Sequence, residues 1–468
     1  MAGGNVKKGF GTYLFILLLM VVLAFLVIVA ILMLSPSTTI LGFRYFIGRN
    51  NYTITKISTD DEQEINYSNL KEINFNVGYS NIEIVRNSQI EKPVITIKTN
   101  VYGFAKEKDY KEFSYSANFI ESDTTKLNIE VSEPASFLYL SKDIMISYQL
   151  PSTIETSLDQ TKINVISDSG KLIIGNTSEI KIDDNYTEIK LKDINFKTNS
   201  GALVINKFVN NQIEELFFKS EGGRLENNKA LTITNNLNIY STKGNLKLNE
   251  IYYEGTEKIQ LDVKNSKLSA SKITGNIVLE IDEGYIDIDE LNGNIESGES
   301  SNQMGRATIN IGNLNGSVNF PSSNSAIIHL GKVLEGKQVY INGTTGKITI
   351  DEMNGGCWVE TTKGNINIVT NADDISVKTT TGDINVSYNA NQIADGLDFV
   401  SEKGKVNLKL NPELGFILSL FNSKGELRGS SNVDMSFYGN NFNNPLTVNS
   451  GTKNIKIATD SKISISLL

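Results

Sequence analysis

The sequence predicts an all-β solenoid joined to one N-terminal membrane helix, and three observations carry that fold class. An apolar run from Phe10 to Leu34 contains no charged residue. From residue 165 onward a Ser/Thr-x-x-Gly motif returns at near-constant spacing. Around each motif, apolar and polar residues alternate with period two, the pattern of strands with one wet face.

The membrane segment comes first. Residues 1–9 form a short cytoplasmic head, and 10–34 a transmembrane helix whose length, at 1.5 Å per residue, crosses a hydrocarbon core of ~30 Å with some tilt. The run is longer than the ~7–15-residue core of a signal peptide, and Leu34-Ser35-Pro36-Ser37 makes a poor cleavage site, so an uncleaved anchor is expected. The run is followed by no cysteine near enough to accept a lipid. The first fifty residues hold four bases (Lys7, Lys8, Arg44, Arg49) and no acid, while the chain carries a net charge of -9, so the remainder is near -13. Bases flank the helix on both sides, and the short head before it against a long body after it favours N-terminus inside, body outside.

Residues 35–65 then serve as a juxtamembrane linker, and 66–165 as an N-terminal β cap with a first coil. The segment Phe75-x-Val77-x-x-Ser80-x-Ile82-x-Ile84 already fits the repeat. It is followed by Val94 to Ile97, by an aromatic-rich stretch holding Tyr102, Phe104, Tyr110, Phe113, Tyr115 and Phe119, and by Leu127 to Val131 and Ile144 to Leu150. A solenoid needs an atypical terminal unit over its open edge, and this segment is placed to supply it.

The repeats proper occupy 166–468. Clear copies are Val165-x-Ser167-x-x-Gly170-x-Leu172-x-Ile174 and Phe196-x-Thr198-x-x-Gly201-x-Leu203-x-Ile205, with others around Gly223, Gly244, Gly364, Gly382 and Gly404. Degenerate copies surround Ser266, Gly284, Gly346 and Gly425. Gly201, Gly223 and Gly244 are 22 and 21 residues apart, Gly346, Gly364 and Gly382 are 18 and 18, and Gly382, Gly404 and Gly425 are 22 and 21, periods that mean a solenoid. Each corner glycine is expected to take a left-handed backbone conformation, with Asn, about 12% of the chain, as the next most tolerant residue. A second corner follows, as in Ile273-x-Gly275-x-Ile277. One coil cannot bury its apolar face alone, but stacked coils at ~4.8 Å enclose a continuous column; about fifteen coils from Val165 onward give a rod on the order of 70 Å.

At this point the residues resemble a family. The single membrane segment, the opening Asn74-Phe75-Asn76-Val77-Gly78-Tyr79-Ser80-Asn81-Ile82-Glu83-Ile84, the strand ending Tyr148-Gln149-Leu150-Pro151 and the Ser/Thr-x-x-Gly-x-Ile copies resemble the bacterial putative-adhesin family of β-strand repeats, a domain of unknown function. The resemblance covers about residues 70 to 460 and implies a right-handed β-solenoid on an envelope protein. Its motifs are structural, so it implies no catalytic residue. Ser266 at a glycine place and Gly343 at a Ser/Thr place depart from the pattern.

Composition removes most chemistry. One Cys forbids an intrachain disulfide or a Cys-rich zinc site, and one His leaves His-based triads and two-His metal sites without parts. An acidic chain of pI about 5.1 is unsuited to electrostatic nucleic-acid binding. His329 reads as structural or surface, Cys357 as a buried small hydrophobe, and Asp287 and Asp289, with Asp282, Glu283 and Glu290 nearby, as a solvated acidic face rather than a Ca²⁺ site. No cofactor or metal is expected.

Trp358 falls in the outward phase and, with Tyr102, Phe104, Tyr110 and Tyr115, makes the set of candidate ligand contacts. The expected protein is a non-catalytic, single-pass cell-membrane protein that acts as an adhesin-like surface or stalk, with the lipid bilayer as partner of its helix and a protein or glycan as ligand. An envelope scaffold or sensory partner of another membrane protein is the alternative. A polysaccharide-acting β-helix enzyme is a minor one, because only six Arg are present and no acid cluster recurs among aromatic residues.

Overall fold

The computed structural model describes residues 6–34, 39–40, 43–54, 70–87, 89–91, 94–106, 114–120, 123–132, 139–151, 161–175, 191–206, 212–298, 304–427, 432–435, 438 and 443–468. It opens with helix α1 (Val6–Leu34), whose window Gly11–Ile31 has a mean hydropathy of 3.6 and lies outside the protein core. That helix is long and apolar enough to cross a membrane. Among the described residues ten strands follow up to residue 174: β1 (Thr39–Ile40), β2 (Phe43–Ile54), β3 (Glu72–Val77), β4 (Asn81–Asn87), β5 (Val94–Lys106), β6 (Ser114–Ile120), β7 (Asp123–Ser132), β8 (Tyr139–Pro151), β9 (Lys162–Ser167) and β10 (Lys171–Ile174). The span 35–65, assigned from sequence to a linker, thus contains β1 and β2.

Two parallel ladders run through the body. One passes from β7 through β3 and β9 and then takes every second strand, through Asp193–Thr198 to Gly396–Ser401. The other runs from β8 through β4 and β10 and takes the alternate strands to Val406–Leu410. Neighbouring coils are offset by 17 to 23 residues between Asp193 and Ser401, as in Met353 opposite Thr370, Val339 opposite Cys357 and Ile295 opposite Val318. About sixteen strands stacked at ~4.8 Å give a length on the order of 70 Å.

Period two sets the core. In Asn365–Thr370 the side chains of Ile366 and Ile368 point inward and are buried, while Asn365 and Asn367 face out. One contiguous apolar cluster extends from Leu70 to Ile465, each coil adding its Ile, Leu or Val to the column. Fully burying one such side chain stabilises by roughly 1.5–3 kcal/mol, an amount no isolated coil could realise.

Both ends of the stack exchange chain order. At the N-terminal end the coil of β7 and β8 lies outside that of β3 and β4, although it comes later in sequence. At the far end Asn454–Thr459 and Ile463–Leu467 stack directly on Gly396–Ser401 and Val406–Leu410, and the earlier strands Phe416–Asn422 and Val433–Met435 lie beyond them. Antiparallel strands then continue the outer edges: β6 on β7, β5 on β8, β2 on β5, and Leu446–Val448 on Phe416–Asn422. Each outermost coil is therefore paired on a side that a simple solenoid would leave open.

The corner chemistry differs from the expectation in its reason. At most of the Ser/Thr-x-x-Gly corners the hydroxyl accepts from the glycine N–H: Ser167 from Gly170 at 2.8 Å, Thr198 from Gly201 at 2.7 Å, Ser401 from Gly404 at 2.9 Å. The same hydroxyl donates to a carbonyl of the preceding coil, as Ser167 does to Gly78 at 3.0 Å and Ser401 to Gly382 at 2.9 Å. Yet most of the Ser/Thr-x-x-Gly glycines do not have positive φ; Gly346 does, at 140°, and at the second corners Gly275 and Gly293 do, at 135° and 159°. What excludes a side chain is the coil below. A Cβ on Gly170 would lie 1.9 Å from the Ser80 carbonyl oxygen, and one on Gly404 1.9 Å from that of Gly382.

Two further corrections concern single copies. Ser266 occupies a glycine place because Val263 occupies the Ser/Thr place; the Ser266 hydroxyl takes over, accepting from Gly244 N–H at 2.9 Å and donating to the Ser241 carbonyl at 2.9 Å. Gly425 is not a coil corner at all. It turns an antiparallel hairpin, with Phe421 opposite Glu426, and its φ of 112° with open space around it is ordinary turn chemistry.

Candidate ligand-contact face

The two ladders each present an outward polar face, and asparagine holds much of it together. Asn367, Asn385 and Asn407 form an amide ladder with bonds of 2.9 and 2.7 Å, and Asn128, Asn74 and Asn164 another at 2.8 Å each. Asn276 and Asn294 accept from the backbone N–H of the next coil at 2.9 and 2.8 Å. The Asn excess thus reflects cross-coil bonding more than left-handed corners: among the described residues Asn449 is the Asn with positive φ.

Trp358 belongs to Gly356–Thr361, whose alternation buries Cys357 and Val359 and turns Trp358 outward, half-buried. In register, Tyr340 opposes it on one side and Ser376 on the other. The Tyr340 and Trp358 rings stack with centroids 4.3 Å apart and planes at 20°. One face of the indole is covered by the tyrosine, while on the next coil the short Ser376 stands in register, followed by Asp398. Asp398 Oδ1 has no hydrogen-bond partner.

A second aromatic pair lies on the same ladder. Phe217 and Tyr240 approach with centroids at 5.5 Å, and the Lys197 ammonium sits 5.5 Å above the Phe217 ring. Six coil steps, about 29 Å, separate Phe217 from Tyr340. Asp262, Glu280 and Glu296 occupy outward positions between them, and burial pushes the Asp262 carboxyl above the usual range. The face can therefore offer ring surfaces, amides and carboxylates to a ligand.

The remaining sequence candidates separate. Tyr102 and Phe104 stand on β5 opposite Ile47 and Tyr45 of β2, at the edge of one ladder. Tyr115 stands on β6 opposite Val131, at the edge of the other. Tyr110 lies outside the described residues. The four described candidates thus make no single site, and Trp358 is far along the rod from Tyr102, Phe104 and Tyr115. Tyr340, Phe217 and Tyr240 escaped sequence reasoning, although outward aromatics about one repeat apart were a usable signal.

The groups set aside earlier have plain surroundings. His329 is half-buried and 2.7 Å from Asp351 Oδ2. Cys357 is buried, and that burial, with Asp374 adding to it, pushes its thiol up to about 12. Glu290 is 2.8 Å from Lys272, and the hydrogen bond from that ammonium, with one from Asn292, holds its carboxyl below the usual range. It thereby joins a cross-coil register of Glu250, Lys272 and Glu290 rather than a cation cage. Among the described residues no group of three or more His, Cys, Asp or Glu is disposed to hold a metal ion.

Residues 254–462 match the family model described as Toastrack DUF4097, a domain of unknown function. No curated protein matches. Three of the solved structures to which the chain is similar are the following. A "putative cell adhesion protein" from Clostridium sporogenes is 8% identical, over 90% of this chain and 99% of that one, with a TM-score of 0.15. A "putative lipid binding protein" from Parabacteroides distasonis is 11% identical over 89% and 96%, with a TM-score of 0.17. A "putative adhesin" from Bacteroides fragilis is 10% identical over 92% and 99%, with a TM-score of 0.16. At such TM-scores these likenesses carry no argument about this chain.

Proposed function

We propose that the chain is a non-catalytic protein of the bacterial cell surface, held by its apolar helix with the head inside and the coil stack outside. The stack acts as a stiff stalk whose long faces bind protein or glycan weakly at several places. The observation that carries this reading is the joining of a single apolar helix to one end of a continuous stack whose outward residues are engaged chiefly in holding coil to coil. A rod of that kind displays whatever sits along it, and two aromatic pairs ~29 Å apart on one face suit an extended ligand that gains affinity by multiple contacts.

Cross-linking the full chain in native membranes tests the reading. Many weak, interchangeable partners are expected; one dominant partner in stoichiometric yield would make the protein a scaffold for another membrane protein. For the aromatic face, Trp358→Ala should weaken retention on purified envelope glycan while the β-sheet circular dichroism stays unchanged. Equal retention would remove Trp358 from the contact face.

A further inference from the structure

The strand β2 pairs with β5 along its whole length, from Phe43 opposite Lys106 to Ile54 opposite Ile95. In turn β5 pairs with β8 from Val94 opposite Gln149 to Gly103 opposite Tyr139. The neighbouring β4 meets β8 only over 145–151. The ribbon of β2, β5 and β8 therefore continues past the edge of the coil stack.

Its two faces follow from alternation. Ile95 and Ile97 are buried against the core, so residues 96 to 106 of even number belong to the opposite face, and the antiparallel register puts residues 43, 45 and 47 there with them. Along that outer face the polarity changes. Toward the stack stand Thr53 with Thr96, Asn51 with Lys98 and Arg49 with Asn100. At the other end stand Phe43, Tyr45, Ile47, Tyr102 and Phe104, with Lys106 beside Phe43.

The apolar end is also the end at which the chain leaves the helix. Thr39 and Ile40 pair with Arg44 and Phe43, and the five residue steps from Leu34 to Thr39 span at most ~18 Å. Helix α1 and β2 are in contact. Tyrosine and other aromatic residues with flanking bases are the composition favoured at the boundary between lipid and water.

We propose that this outer face of the ribbon lies in the lipid headgroup region, so that the stack is held at a fixed attitude to the membrane rather than swinging from a linker. The proposal rests on the reading of Val6–Leu34 as a membrane anchor. Tyr102 and Phe104 then serve the bilayer, not a soluble ligand.

The test uses the full chain in phosphatidylcholine–phosphatidylglycerol vesicles, with an environment-sensitive fluorophore on single introduced cysteines; buried Cys357 stays unlabelled. Labels at Val22→Cys, Ile47→Cys, Tyr102→Cys and Thr53→Cys are quenched by nitroxides on the acyl chain or the headgroup. Val22 should be quenched by acyl-chain nitroxide. Ile47 and Tyr102 should be quenched by headgroup nitroxide several-fold more strongly than Thr53, which is ~20 Å from Ile47 along the same strand. Phe43→Cys and Phe104→Cys provide a second pair if either variant loses the parental circular dichroism. Quenching at Val22 with none at the ribbon sites overturns this proposal and leaves the anchor standing. No quenching at Val22 overturns the anchor reading and the proposal with it. Ribbon labels shielded from aqueous quencher yet unreached by lipid nitroxides would put a protein contact there and also overturn it.

Discussion

Replacing Gly382 by alanine puts a methyl carbon 1.9 Å from the Gly364 carbonyl oxygen, 2.5 Å from its carbon and 3.0 Å from Thr379 Oγ1. A carbon–oxygen contact needs roughly 3.3 Å, so the two coils must part by about 1.4 Å at this corner. That movement strains three bonds at once: Thr380 N–H to the Thr361 carbonyl at 3.2 Å, Thr381 N–H to the Thr362 carbonyl at 2.9 Å, and the Thr379 hydroxyl to the Gly364 carbonyl at 3.4 Å. Overpacking and the weakened bonds together cost about 3–4 kcal/mol. The contrast is Gly336, at φ +73° with nothing within 4 Å of an added Cβ. There alanine should cost ~1–2 kcal/mol through backbone conformation alone, and asparagine, which tolerates that conformation, should recover most of it. At Gly382 asparagine should do no better than alanine. Hydrogen exchange of peptides spanning 361–388, with denaturant titration of the full chain in detergent, reads both effects. A Gly382→Asn variant within ~0.5 kcal/mol of the parent would refute the argument that the neighbouring coil selects glycine.

Two further outcomes follow from single side chains. Ser401→Ala removes a buried hydroxyl that accepts from Gly404 and donates to Gly382; leaving those backbone groups unpaired should cost ~1–3 kcal/mol, seen as a lower denaturation midpoint at unchanged slope. Asp193 is buried beside Glu215, and burial, then that charge, raises its carboxyl above 3.8. A raised folded pKa means that the group favours folding below its unfolded value and that this support is lost as pH rises through the folded one. Asp193→Asn should therefore raise the melting temperature at pH 7, and the gain should vanish below about pH 3.8; a gain independent of pH would contradict the burial argument.

The stack was legible because its signals are local and repeated. Ile348 and Ile350, or Ile366 and Ile368, show inward phase by alternation alone, and the spacing of Gly346, Gly364 and Gly382 gives the coil length. The reason for those glycines was not legible, since the carbonyl that excludes a side chain belongs to a residue a full coil away. Gly425 shows the same gap from the other side: it stands 21 residues after Gly404, at the right interval, yet the strand that stacks beyond Gly396–Ser401 begins at Asn454. Exchange of chain order at the ends leaves no mark on a periodic sequence, because the swapped coils carry the same alternation. The contact face was half legible. Trp358 stands out by composition, but its partner Tyr340 is recognised only once register sets it on the adjacent coil.

Surface labelling of intact cells tests the central claim most directly. The native Cys357 is buried with its thiol pushed up to about 12, so a membrane-impermeant maleimide has little background, and Ser464→Cys and Asn5→Cys can be compared in the full-length protein. The account predicts that Ser464→Cys is labelled on intact cells, that Asn5→Cys is labelled only after lysis, and that both stay with the membrane after alkaline extraction. Labelling of Ser464→Cys only after lysis, or release of the body into the medium without its first residues, would contradict it.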